Sequence, residues 1–228
     1  MEGFLPGPWW QIWFAVSFLF IAYGMYRLQN LTAEDRQALP LLAVAGAFIF
    51  VLSSLKLPSV TGSSSHPTGT GLAGVLFGPA ITSLLALIVL LYQAIFLAHG
   101  GLTTLGANVF SMGIAGPFAA WLVYRAGSRI GLNVVATMFA AATLADLTTY
   151  LVTSLQLALA FPAAAGGVPA SFLAFGAIFA LTQVPIAIME GTVTALIFKY
   201  IVTMRGDILV RLRVIPQATM QRLQKVMQ

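Results

Sequence analysis

An all-α bundle that crosses a membrane several times is the fold this sequence predicts, and three observations carry that reading. Of the 228 residues, 59% are hydrophobic and only 7% are charged, with a mean hydropathy of +0.94. Soluble domains carry roughly 25% charged residues, so this chain cannot cover itself in polar groups. Its length suits one bundle of about six or seven helices at ~20 apolar residues per span. The apolar runs are also solid rather than alternating, which favours helices over a transmembrane barrel. The chain has no cysteine, which excludes disulfides, thiolate metal sites and a cysteine nucleophile. The net charge of +5 is no sign of nucleic-acid binding, because Lys and Arg in a membrane protein mark the cytoplasmic side.

Residues 1–8 are too broken by Pro and Gly to be helical. Met1-Glu2-Gly3-Phe4 has no basic lead-in, so no cleavable signal peptide is expected. A first span is predicted over about Trp9 to Tyr26, with Trp9, Trp10 and Trp13 as an interfacial aromatic belt. A polar connection, Arg27 to Ala38, leads to a second span over about Leu39 to Leu55. The polar segment Ser63-Ser64-Ser65-His66-Pro67-Thr68-Gly69-Thr70-Gly71 follows. Leu72 to Ala98 is long for one span and is interrupted at Gly78-Pro79. Further apolar pieces run from about Val109 to Tyr124, Leu132 to Leu159 and Ser171 to Thr203, the second holding Asp146 and the last holding Pro185 and Glu190. No repeat or second domain is visible. A single transmembrane domain is expected over 1–204, with a basic tail over 205–228 forming a short surface helix.

With the N-terminus outside and a short inward segment ahead of Gly78-Pro79, the chain crosses seven times and its C-terminus is cytoplasmic. Ten of the eleven basic residues then lie on or near the inner side, and only Lys56 lies outside. On that count the N-terminus, the His66 segment and the His99 turn share the outer face. The piece from Leu72 to Gly78 is too short to cross ~30 Å of hydrocarbon. Residues 59–71 are therefore expected to dip into the bundle, where irregular backbone is tolerated only if protein buries it or a cavity is lined by it.

The only two histidines, His66 and His99, sit in this region. Neutral imidazole suits cobalt, nickel, copper or zinc. Ser63, Ser64, Ser65, Thr68 and Thr70 could supply the acceptor that fixes a ligand ring. The bland alternative for His66 is a solvated loop residue. His99, followed by Gly100-Gly101, also fits a helix end, with glycine as C-cap and the imidazole favoured by the dipole. Asp146 and Glu190 are intramembrane acids and so functional candidates; the reading favoured is that they are structural acids hydrogen-bonded to Thr148, Gln183 or another helix. Asn108 is a candidate polar contact beneath the site, or an ordinary interhelical hydrogen bond. No phosphate-binding loop of the G-x-x-x-x-G-K-[ST] type is present.

Met1-Glu2-Gly3-Phe4-Leu5-Pro6, the segment from Ser63 to Leu72, His99-Gly100-Gly101-Leu102-Thr103-Thr104-Leu105-Gly106-Ala107-Asn108, and Leu181-Thr182-Gln183-Val184-Pro185-Ile186-Ala187-Ile188-Met189-Glu190-Gly191 together resemble the CbiM/NikM family. These are the membrane substrate-capture subunits of energy-coupling-factor transporters for cobalt and nickel. The resemblance implies a multi-pass protein of a prokaryotic plasma (inner) membrane with no enzymatic activity of its own. It would take Co(II) or Ni(II) as transported substrate and supply cobalamin synthesis or nickel enzymes. A transmembrane coupling subunit, ATP-binding cassette ATPase subunits and a small accessory membrane subunit would be its partners. It further implies a nitrogen-rich site of the terminal amine at Met1, an adjacent histidine, and His66. His99 is a further candidate ligand, and Glu2, Ser65, Thr70, Asn108 and Glu190 are candidates for the surrounding pocket. Family members usually open Met-His-Ile-Met-Glu-Gly, whereas this sequence starts at the second of those methionines. Either the start lies three residues upstream, which is the expectation, or this member has lost part of its site; without Met-His-Ile the chain is expected to bind metal poorly.

Three other readings make different demands. A stand-alone secondary transporter or channel would need Asp146 and Glu190 for coupling and would work without partners. A membrane enzyme with a histidine-bound metal is disfavoured, since catalytic zinc usually takes three protein ligands. A vitamin-capture subunit would tolerate loss of His66.

Overall fold

The computed structural model describes residues 4–58 and 64–227. Met1, Glu2 and Ser63, named above, lie outside the described residues. Among the described residues five helices are long and apolar enough to cross a membrane, and the protein is a helical membrane bundle. Helix α1 (Trp9–Glu34) leads into α2 (Ala38–Ser54), a shorter apolar helix of 17 residues. A small antiparallel hairpin follows, in which β1 (Leu57–Pro58) pairs with β2 (Ser64–Ser65), Leu57 opposite Ser65. Helix α3 (Thr70–Phe77) and α4 (Pro79–Phe96) come next. Then α5 (Leu105–Asn108), a π-helical stretch (Val109–Ala115) and α6 (Gly116–Arg129) continue as one rod. Helices α7 (Val134–Ala160) and α8 (Gly167–Met204) pack against each other, and α9 (Gly206–Arg211) and α10 (Gln217–Met227) close the chain.

The packing is that of a protein solvated by lipid. Helix α1 turns Phe18 and Leu19 outward, 67% and 68% exposed, and fully buries only Ser17 and Gly24. Apolar side chains gain nothing by leaving a hydrocarbon solvent, so close approach of small residues and interhelical hydrogen bonds drive association instead. Both appear here. A Cβ on Gly24 would stand 2.2 Å from the Ala80 carbonyl oxygen, and the Ser17 hydroxyl donates to the Gly106 carbonyl at 2.7 Å.

The break foreseen at Gly78-Pro79 is real. Gly78 has φ 83° and ψ 159°, a conformation open to glycine, and Pro79 occupies the first turn of α4, where its missing N–H is no loss. Helix α3 has eight residues, about 12 Å at 1.5 Å rise per residue, too short to span alone. It sits as a plug inside the bundle: every residue from Thr70 to Val75 is buried. Two glycines let it fit. A Cβ on Gly71 would meet the Ala142 Cα at 2.9 Å, and one on Gly74 would meet the Pro117 carbonyl oxygen at 2.8 Å.

Four features depart from expectation. Helix α1 does not stop at Tyr26 but continues to Glu34, through most of the expected polar connection. The rod Leu105–Arg129 starts four residues earlier than the apolar pattern marked and contains the π-helical stretch. That wider register directly precedes Pro117, whose ring and missing N–H disturb regular α-helix. Helix α8 also starts earlier, at Gly167. The basic tail forms two helices rather than one, and Leu209, Ile215 and Met220 join the same core as Phe198 and Val202.

Candidate metal centre

The chain between β2 and α3 is irregular, yet Thr68 and Gly69 are buried, as are Ser65 at the end of β2 and Thr70 at the start of α3. A Cβ on Gly69 (φ 69°) would lie 3.0 Å from the Ile49 Cα, so this backbone runs directly against α2. Unpaired amides in such a place would be costly, and helices α7 and α8 supply their partners. The Tyr150 hydroxyl accepts from the His66 N–H at 3.1 Å and faces the His66 carbonyl at 3.3 Å. Gln183 Nε2 donates to the same carbonyl at 3.1 Å and to Asp146 Oδ2 at 2.6 Å. Glu190, 2% exposed, takes the Thr68 N–H on Oε2, and on Oε1 the Gly69 N–H at 2.9 Å and the Thr68 hydroxyl at 3.0 Å. The Ser65 and Thr182 hydroxyls are 2.7 Å apart.

His66 is half-buried in this frame. Its Nδ1 lies 2.9 Å from the Pro67 carbonyl oxygen. A carbonyl can only accept, so Nδ1 carries the proton and the Nε2 lone pair is the one available to a metal. The ring's fixed partner is thus a backbone carbonyl, not one of the neighbouring hydroxyls. Ser65 and Thr68 bond Thr182 and Glu190, and the Thr70 hydroxyl stands 3.4 Å from that of Thr68.

The second imidazole comes from the other side of the bundle. After α4 ends, Ala98 takes the left-handed turn (φ 47°), a role expected of glycine, and Gly100 (φ 72°) follows. The His99 N–H returns to the Gln93 carbonyl at 3.1 Å. Gln93 is itself buried, its amide nitrogen 2.7 Å from the Ser53 hydroxyl, and Lys56 Nζ donates to the Leu97 carbonyl at 3.2 Å. The turn is pinned to the end of α2, and the His66 and His99 ring centroids stand 4.8 Å apart. Burial lowers the His66 imidazole below its ordinary value, opposed by the Pro67 carbonyl and aided by the charge of Lys56. Burial, with repulsion from His66 and Lys56, lowers His99 from 6.5 to about 3. Two neutral imidazoles side by side are a nitrogen donor pair for a borderline divalent cation.

Not every candidate converges on the rings. The Asn108 amide is 3.5 Å from the Thr104 hydroxyl and lies under the His99 turn, where a Cβ on Gly100 would touch it at 3.1 Å. Asp146 is fully buried and reaches the His66 strand only through Gln183. Met1 and Glu2 lie outside the described residues. Among the described residues no group of three His, Cys, Asp or Glu side chains converges as a metal cluster. Tyr150 and Gln183 were not singled out as site residues; a tyrosine and a glutamine in apolar helices give only a weak signal of polar pairing.

The sequence model of a family described as CbiM, cobalt uptake substrate-specific transmembrane region, matches residues 1–208. A protein of Methanosphaerula palustris carrying the name CbiM 1 is 64% identical over 218 residues, covering 96% of this chain and 94% of that protein. A fused protein of Methanocorpusculum labreanum, CbiMQ, is 52% identical over 220 residues, which are 94% of this chain but 37% of the longer one. A crystal structure of a transition metal transporter superposes with a TM-score of 0.77 at 24% identity, covering 88% of this chain and 90% of that one. That likeness is one of fold.

Proposed function

The chain belongs to the CbiM family of cobalt-uptake substrate-specific transmembrane proteins, and from that premise we propose that it is the metal-capturing subunit of an ATP-driven energy-coupling-factor importer. It takes Co(II) or Ni(II) from the outer face of a prokaryotic plasma membrane, with its N-terminus outside and its C-terminus in the cytoplasm. Residues 1–204 form the capture domain and 205–228 the cytoplasmic tail. His66 offers Nε2 to the ion, His99 is the second imidazole, and a terminal amine with its adjacent histidine, carried by a Met-His-Ile opening ahead of Met1 rather than by Met1 itself, completes the nitrogen set. Glu2, Ser65, Thr70, Asn108 and Glu190 shape the surrounding pocket. Energy comes from separate ATPase subunits through a transmembrane coupling subunit, with a small accessory membrane subunit in the assembly. The fused CbiMQ relative supports a second component working beside this chain.

The observation that carries the reading is the pair of half-buried rings 4.8 Å apart, His66 on a strand held inside the bundle and His99 on the turn that closes α4. A captured ion exchanges water for nitrogen there, and a flat nitrogen set suits Ni(II) as well as Co(II). The test is radiolabelled Co(II) and Ni(II) uptake by cells carrying this chain with and without coupling and ATPase subunits, with His66→Ala in parallel. A second arm adds Met-His-Ile ahead of Met1. Uptake that needs the ATPases and disappears in His66→Ala supports the proposal. Uptake by this chain alone, driven by an ion gradient, would replace it with a secondary transporter.

A further inference from the structure

His66 is held far more firmly by its backbone than by its ring. The N–H and C=O of this residue both meet Tyr150 from α7, the C=O also meets Gln183 from α8, and the two amides after Pro67 both end on Glu190. Each of these contacts joins segments 84 to 122 residues apart in sequence. Gly69 carries the αL turn (φ 69°) that aims the Thr68 and Gly69 N–H groups at one carboxylate. Successive amides converging in this way make a nest that suits a carboxyl group, and here the carboxyl is part of the protein. Hydrogen bonds to a buried carboxyl are costly to leave unmade. In a site closed to water they fix the strand in one place.

Resting on the reading of His66 as a ligand, we propose that Glu190, Gln183 and Tyr150 are positioning residues for metal capture. They hold the backbone of residues 66–69 against α7 and α8 so that the His66 imidazole meets the ion in a single orientation. Glu190 contributes most, because it alone holds two successive amides and a hydroxyl. Gln183 is held in turn by Asp146, which gives that buried acid a place in the same frame without touching the ion. The arrangement also separates the two imidazoles mechanically. His66 is fixed from α7 and α8, and His99 from α4 through the Gln93 carbonyl. An ion bound to both rings bridges these two parts of the bundle, and its coordination geometry depends on how each part holds its ring.

The test uses the full chain in lipid–detergent micelles, with and without Met-His-Ile ahead of Met1. Co(II) affinity is measured by chelator competition, and ligand geometry by the cobalt d–d absorption bands. Outer partners of metal ligands typically cost 10- to 100-fold in affinity when removed, so Glu190→Gln is expected to weaken Co(II) binding about 10- to 100-fold and to shift the d–d bands. The Gln amide keeps the size but turns an NH2 toward a backbone N–H. Tyr150→Phe, which keeps the ring and its packing on Phe179, is expected to weaken binding less, about 3- to 10-fold, as for loss of one neutral hydrogen bond. It serves as the second variant should Glu190→Gln fail to fold. His66→Ala is the control for the underlying reading. If His66→Ala loses binding while Glu190→Gln and Tyr150→Phe keep wild-type affinity and spectrum, the positioning role is overturned and the capture site stands. If His66→Ala binds as wild type, the capture site itself is wrong.

Discussion

His66 and His99 face each other edge to face, with ring centroids 4.8 Å apart and planes at 73°, although one is fixed from α7 and α8 and the other from the end of α4. Neither ring has a described carboxylate partner, and neither is needed to fill a core, since both are only half-buried. If the pair exists to bind an ion, each ring should matter separately. Structural metal sites with four ligands bind with roughly 10–16 kcal/mol, so one lost nitrogen corresponds to about 3 kcal/mol, on the order of 100-fold. His66→Ala and His99→Ala should each weaken Co(II) binding by that order while leaving the thermal midpoint of the metal-free protein within a few degrees. Full binding by His99→Ala would remove that residue from the ligand set.

The lowered His99 imidazole gives a pH prediction. In the unfolded chain the ring titrates near 6.5, and in the folded protein near 3. Between those values the unfolded state binds the extra proton, so stability rises with pH across that interval and is flat above it. Acidification from pH 7 toward 4 should therefore destabilise the metal-free protein, by at most ~1.4 kcal/mol per pH unit from this ring and less because it is partly exposed. His99→Gln removes the contribution. Melting curves from pH 4 to 8 should show the wild type losing more on acidification than the variant, and parallel curves would rule the effect out.

Much of the fold is legible in the sequence because membrane spans are set by length and apolarity. The split at Gly78-Pro79 and the burial of the polar strand follow from span length, since six or seven residues cannot cross a bilayer. The pairing of Asp146 with Gln183 was among the readings the sequence left open, and the structure makes it at 2.6 Å. Glu190 clasping Thr68 and Gly69 could not be read, because the partners are 121 and 122 residues apart and nothing in an apolar helix says which way its acid faces. Tyr150 was missed for the same reason. The π-helical stretch left no pattern beyond Pro117, and the His66 tautomer depends on the Pro67 carbonyl turning back on its own neighbour, which only coordinates reveal.

Close packing of α3 yields a contrast between glycines. Gly74→Ala would bring a Cβ within 2.8 Å of the Pro117 carbonyl oxygen and 2.9 Å of its Cα and Cβ, all on the rigid rod of α6. Overpacking of this kind costs about 1–3 kcal/mol and should displace the plug that carries the histidine strand, weakening metal binding as well as stability. Gly176, inside α8, has nothing within 4 Å of where its Cβ would be. There Gly176→Ala should be neutral or stabilising by about 0.5–1 kcal/mol. Detergent melting curves distinguish the two, and an unchanged midpoint for Gly74→Ala would show that α3 can shift.

The last prediction concerns which end of the bundle meets the outside. Lys56 Nζ on the Leu97 carbonyl ties the ends of α2 and α4 together beside His99. At the other end the Arg211 guanidinium meets Asp35 at 3.1 Å, placing α9 against the α1–α2 turn. Arg36, Arg125, Arg129 and the tail cations belong to that second end, whereas Lys56 belongs to the histidine end. On the positive-inside bias the histidine end is expected to face outward, as capture from outside requires. The chain has no native cysteine, so Lys56→Cys and Arg129→Cys can each be probed alone. A membrane-impermeant thiol reagent on intact cells should label position 56 and spare 129 until the membrane is opened. The reverse pattern would put both imidazoles on the cytoplasmic side, where they could release an ion but never capture one from outside.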